Sequence, residues 1–206
     1  MRFIYLLSIS SAFLPLAFSL AAPLKDYKVF IPQWEVEVSP GGSMVILNGT
    51  IEQVHDELIK LNPNWDNEYL GENPSKHSEN STRLLDKRTD FSGAQYFCRG
   101  RWPEAFRNPI NTGIKYLRRV NGRPTNGAGP GNCGRVSCSY RSAIWWCNDD
   151  HQPKTLESFG SIADGAQYIV DHCTRSFPGH NLILVSGQVF HKTNWNVIVR
   201  EDTDSC

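Results

Sequence analysis

Hydrophobic and polar positions divide the chain into three unlike stretches. From Phe3 to Leu20 nearly every position is apolar, with Arg2 in front and the small residues Ser19-Leu20-Ala21 at the end. A positive start, a short apolar run and small residues at the scissile position predict a secretory signal peptide over 1–21, cut after Ala21. Ser8, Ser10, Ser11 and Pro15 weaken the run as a membrane span, and no basic stop follows it. No later segment is apolar enough to cross a bilayer.

The second stretch, 22–88, begins with a strand from Val29 to Val38 that alternates in part (Trp34, Val36, Val38), turns at Pro40-Gly41-Gly42 and returns from Met44 to Leu47 as a second strand. Thr50 with Gln53 three residues on predicts a capped helix start. Ile51, Val54, Leu58 and Leu61 recur at helical spacing before Pro63 ends the run. This β-β-α unit is small for independent stability. From Gly71 the chain is polar and ends in Leu84-Leu85-Asp86-Lys87-Arg88, a linker with a dibasic pair.

The third stretch, 89–206, has denser patterning. Asn108-Pro109 predicts a helix with Asn as N-cap and Pro at its first position, Ile110, Ile114 and Leu117 as one face, and Asn121-Gly122 as its stop. Arg135 to Tyr140 and Ala143 to Cys147 read as paired strands. Ser161 with Asp164 reads as a capping box opening a helix whose face is Ile162, Ala166, Ile169, Val170 and Cys173. Leu182 to His191 and Trp195 to Arg200 flank the turn Lys192-Thr193-Asn194. Together these predict an α+β domain: an antiparallel sheet of four or five strands with two helices on one face.

Cysteine placement separates the same parts. All six cysteines, Cys98, Cys133, Cys138, Cys147, Cys173 and Cys206, lie beyond Arg88. In an exported chain an even count reads as three disulfides, with fifteen pairings open. Cys133 and Cys138 have no second close pair or paired histidines to complete a zinc site, so no metal is assigned. Charge divides likewise: 22–88 carries 7 Lys/Arg against 11 Asp/Glu, and 89–206 carries 13 against 10. The second part is only mildly basic, which gives no strong nucleic-acid signal. Asn48-Gly49-Thr50 and Asn80-Ser81-Thr82 are glycosylation acceptors, both in 22–88.

Candidate chemistry is sparse. The glycines of 124–131 lack the Gly-Lys-Ser/Thr ending of a phosphate cradle. His151, His172, His180 and His191 show no ligand spacing on one element; His172, His191, Glu157 and Arg200 are the set to test for phosphodiester chemistry. Solvated histidines near loop ends are the plainer reading, and no catalytic residue or cofactor is assigned. Trp145-Trp146 are adjacent on a strand, so the rings point to opposite sides. One of them exposed, with Arg99 and Arg101 nearby, would be a binding surface; covered by a helix or loop, it would be core. Trp102 and Trp195 are further stacking candidates.

Leu85-Asp86-Lys87-Arg88 resembles the sites cut by kexin-type processing proteases of the fungal secretory pathway. That resemblance makes 22–88 a pro-segment, 89–206 the mature domain and Thr89 its first residue. The whole layout resembles the small secreted cysteine-rich effectors and toxins of filamentous fungi. The stretch from Cys138-Ser139-Tyr140 to Trp146-Cys147-Asn148-Asp149-Asp150, with Ser186-Gly187-Gln188-Val189-Phe190 and Asn194-Trp195-Asn196-Val197-Ile198-Val199, is similar to secreted fungal proteins of killer-toxin-like α/β-sandwich type. The resemblance covers about 96–206. It implies an extracellular, monomeric virulence or toxin protein that acts by binding a host or competitor target, and it carries over no catalytic residues. The alternative is a small secreted hydrolase acting on RNA or polysaccharide.

Overall fold

The computed structural model describes residues 20–69, 88–120, 122–202 and 206. Most of the expected signal peptide, and the linker with Asn80 and Lys87, lie outside them. The fold is α+β, with four helices, three disulfides and, among the described residues, strand pairings that are antiparallel apart from one. None of these helices is long and apolar enough to cross a membrane.

The N-terminal segment comprises β1 (Lys28–Phe30), β2 (Gln33–Glu37), β3 (Met44–Asn48), α1 (Ile51–Leu61) and α2 (Trp65–Tyr69). β2 and β3 form the expected hairpin, and alternation along β2 turns Trp34 and Val36 inward. α1 opens as its sequence dictates: the Thr50 N–H donates to Gln53 Oε1 at 3.0 Å, closing a capping box. Ile51, Val54 and Leu58 are buried, whereas Leu61 is 55% exposed because the chain leaves the helix there. The segment exceeds the expected β-β-α unit by β1 in front and α2 behind. The stretch expected as one strand from Val29 to Val38 is divided at Ile31-Pro32 into β1 and β2, and β1 pairs with no strand of its own segment, so local pattern could not reveal its partner.

The cysteine-bearing domain follows with β4 (Tyr96–Cys98), β5 (Ala105–Phe106), α3 (Arg107–Leu117), β6 (Thr125–Asn126), β7 (Asn132–Ser139) and β8 (Ser142–Asn148). Then come β9 (Lys154–Thr155), α4 (Phe159–Cys173), β10 (Thr174–Ser176), β11 (Ile183–Val185), β12 (Gly187–His191) and β13 (Trp195–Glu201). The main sheet has the order β1-β7-β8-β13-β12-β4, so the domain supplies five strands and the N-terminal segment the sixth. β7 and β8 are joined through Tyr140 and Arg141, both at positive φ (47° and 58°), the twist that a two-residue hairpin turn requires. α3 and α4 pack side by side on one face of this sheet. Ile110, Ile114 and Leu117 from α3 join Ile162, Ala166 and Ile169 from α4 in one core with Ile144, Trp146, Val197 and Val199. Gly113 permits the approach of α3, since a β-carbon there would stand 2.2 Å from Ser137 Oγ.

Two helix starts differ from expectation. α3 begins at Arg107, placing Asn108 and Pro109 inside its first turn, because β5 pairs with β11 up to Phe106 and the chain coils directly out of that strand. α4 begins at Phe159, two residues before Ser161. The Phe159 ring stacks on Trp34 with centroids 4.0 Å apart, and the Asp164 carboxylate is committed to Arg118 and to the Thr89 N–H, each at 2.7 Å. Both are tertiary contacts that overrule a local cap.

The bridges are Cys98–Cys173, Cys133–Cys147 and Cys138–Cys206. The first ties β4 to the end of α4, the second joins facing residues of β7 and β8, and the third pins the C-terminal residue to β7. All three lie within the domain. Non-reducing alkylation should therefore label no cysteine, and a Cys98→Ala/Cys173→Ala variant should lose about 2–5 kcal/mol of unfolding free energy in denaturant titration. Label at any cysteine of the native chain would contradict the pairing.

Candidate functional site

Successive residues of a strand face opposite sides, and Trp145 and Trp146 do so, but both are buried, at 0% and 1% exposure. Of the two alternatives left open by the sequence, an exposed ring or a covered one, the full chain has both rings covered. Trp146 belongs to the helix-side core and meets the edge of the Phe30 ring, centroids 6.0 Å apart. Trp145 lies on the opposite face with Cys133, Cys147 and Ile198, and its Nε1–H donates to Asp202 Oδ2 at 3.0 Å. What covers this second face is the N-terminal arm. Leu20, Ala22, Leu24, Tyr27 and Val29 pack over it together with Trp102, whose Nε1–H donates to the Pro23 carbonyl at 2.8 Å.

The same face carries a line of polar side chains running across the sheet, which strand alternation places in register with Trp145. Arg101 donates to Gln188 Oε1 (2.8 Å), Gln188 to Asn196 Oδ1 (3.0 Å), and Asn196 to Asp149 Oδ2 (2.7 Å). The other Asp149 oxygen accepts from the Tyr27 hydroxyl at 3.0 Å. Burial, followed by the Asp149 charge and hydrogen bond, pushes the Tyr27 phenol up to about 12, which keeps it a donor. Gln188 and Asn196 are buried and satisfied by one another, as buried amides must be. The Arg101 guanidinium sits 3.8 Å over the Phe97 ring at the far end of the line. The face thus offers aromatic rings beside a fixed set of donors and acceptors, a combination that suits recognition more than proton transfer.

The four residues singled out for binding are only partly brought together. Trp145 and Arg101 share this face. Trp146 points the other way, and Arg99, at φ 57°, turns its guanidinium to the Cys173 carbonyl at 3.1 Å. His172 donates from Nδ1–H to the Tyr168 carbonyl (2.8 Å) and stacks on the Tyr168 ring. His191 bonds Thr193 (2.8 Å) and stacks on Trp195, Glu157 faces Arg123 at 3.7 Å, and Arg200 donates to the Glu201 carbonyl. The polar contacts of these four thus lead to other partners, not to one another. The backbone N–H groups of Gly129 and Gly131 are used on the Asp150 and Asn148 carbonyls, which explains the glycines of 124–131 without a phosphate. Asn48 is exposed, as an acceptor for sugar must be, and Arg88 is exposed at the domain entrance. Among the described residues no group of three His, Cys, Asp or Glu side chains is arranged to hold a metal ion.

Comparison with known proteins returns no match. No family model, no curated protein sequence and no solved structure matches the chain. The site therefore rests on its own geometry. Tyr27, Asp149, Gln188 and Asn196 escaped the sequence reading because each is an ordinary polar residue until β1 docks. The alternation of β13, which sets Asn196 and Ile198 on one side, was the available signal.

His191 lines a cavity of about 270 Å³ with Asp90, Gln95, Phe190 and Lys192. Burial, with Lys192 and Lys154 adding to it, holds its pKa below the usual histidine value, and Asp90 opposes them. A depressed histidine binds fewer protons folded than unfolded, so its contribution is complete above pH 6.5 and is lost as pH falls through the lowered value. His191→Gln should accordingly flatten the decline in unfolding free energy between pH 7 and pH 5. Parallel curves for the native and variant chains would contradict this.

Proposed function

We propose that the chain is a secreted effector- or toxin-like protein that acts by binding a target on a host or a competing microbe once a cut after Arg88 frees its pro-segment. The observation that carries the reading is the cover over the Trp145 face: residues 22–29 of the pro-segment lie across the surface holding Trp102 and Trp145 and reach Asp149 at the end of the polar line. An uncut chain withholds Trp145 and half of Trp102 from any partner, while Arg101 stays exposed at the rim. Aromatic and arginine side chains on such a face are the kind that dominate binding energy.

Three features support cleavage as the trigger. Arg88 is exposed. No disulfide ties the pro-segment to the domain, so a cut leaves only non-covalent contacts, and the tethered segment loses an effective concentration that short linkers hold at the order of millimolar. The cut would also turn the Thr89 N–H into an ammonium 2.7 Å from Asp164 Oδ2, strengthening an existing bond through charge. The three bridges are those of a protein matured in an oxidising compartment.

The test compares the full chain cut after Arg88 with a Lys87→Ala/Arg88→Ala chain, each applied to plant leaves and to competing microbes. The cut chain should act and the uncuttable chain should not. In the cut chain Arg101→Ala/Trp102→Ala should cost about 2 kcal/mol of target affinity, roughly thirtyfold. Equal activity of cut and uncuttable chains would overturn the reading.

A further inference from the structure

We propose that the outer edge of β7, with Gly131 and Gly134 as slots for aromatic rings, is an acceptor for an extended strand of a partner protein that carries two aromatic side chains three residues apart. Residues 22–30 fill it as a built-in stand-in. The proposal rests on the reading above, that the arm is removed before the protein acts.

β1 joins β7 in parallel, with Lys28 beside Asn132, Val29 beside Cys133 and Phe30 beside Gly134, and the Lys28 N–H donates to the Gly131 carbonyl at 2.6 Å. Strand addition to a sheet edge draws affinity from such backbone bonds and specificity from pockets for the side chains. Here the pockets are made by missing side chains. A β-carbon on Gly134 would stand 2.4 Å from the Phe30 ring, and one on Gly131 would stand 3.2 Å from the Tyr27 ring. Three residues is an odd spacing in an extended chain, so the rings go to opposite sides of the edge. Phe30 reaches Trp146 and Tyr27 reaches Asp149. Trp102 Nε1–H adds a fixed donor for a carbonyl upstream of the first ring, the place Pro23 takes.

The arm is the exchangeable part of the N-terminal segment. Trp34, Val54 and Leu58 are fully buried in the shared core, while Tyr27, Val29 and Phe30 are half-buried and Lys28 is exposed. Its replacement by another strand restores the same backbone bonds.

The experiment uses the full chain carrying Tyr27→Ala/Phe30→Ala, which empties both slots, and a fluorescent peptide with the sequence of residues 22–32. Saturable binding at micromolar concentration is expected, with a scrambled peptide at least tenfold weaker. Adding Gly134→Ala, which the vacated slot lets fold, should abolish binding. Asp149→Asn, which keeps the shape of the site, should weaken it severalfold. Correct disulfides are verified in each variant by peptide mapping. No saturable binding, or equal binding of the scrambled peptide, would overturn the proposal. The readout is independent of the leaf and microbe assay: an inert cut chain that still binds the peptide refutes the target-binding role and leaves the strand acceptor standing.

Discussion

The outer edge of β7 carries backbone N–H and C=O groups that β8, its neighbour on the other side, does not satisfy, and the chain must find partners for them. It does so by folding the N-terminal segment around that edge. β1 supplies the ladder. The arm before it covers the Trp145 face, and the hairpin and α1 after it cover the opposite side, where Trp34 stacks on Phe159. Glu52 completes the seam: its carboxylate accepts from the Ser137 hydroxyl at 2.5 Å and from the Cys138 N–H at 2.8 Å, at the irregular end of β7.

The disulfides answer a different requirement. They join β4 to α4, β7 to β8 and the C-terminal residue to β7, all within the domain, so they hold the five-stranded sheet regardless of what lies on its edge. Among the described residues the N-terminal segment is held by apolar burial and hydrogen bonds, with no disulfide to the domain. Each fully buried large side chain of that segment contributes about 1.5–3 kcal/mol, which makes the association firm while it is tethered and concentration-dependent once it is not. On the proposed reading this division is what allows one molecule to be stable in two forms.

Much of this was legible in the sequence where the deciding forces are local. The Thr50–Gln53 capping box, the turn at Pro40-Gly41-Gly42 and the buried faces of α3 and α4 follow from spacing and appear as read, as does that of α1 apart from exposed Leu61. Where a distant contact decided, the reading slipped. α4 starts at Phe159 because Trp34, 125 positions earlier, stacks on it. The two tryptophans illustrate the limit best: alternation gave their opposite directions, but the cover over Trp145 comes from residues 20–29, which carry no pattern that points to β7. The polar line from Arg101 to Tyr27 was hidden for the same reason, since its members come from four separated parts of the chain.

Amide hydrogen exchange along β7 before and after cleavage at Arg88 tests the central claim most directly. In the uncut chain the amides of residues 132–136 should exchange as slowly as those of β8 and β13. After the cut, at concentrations low enough for the N-terminal segment to leave, those of them that point away from β8 should exchange much faster, while β13 stays protected by the disulfide-held sheet. Unchanged protection of β7 in a domain shown by mass to have lost residues 22–88 would mean that the segment is not what closes the edge.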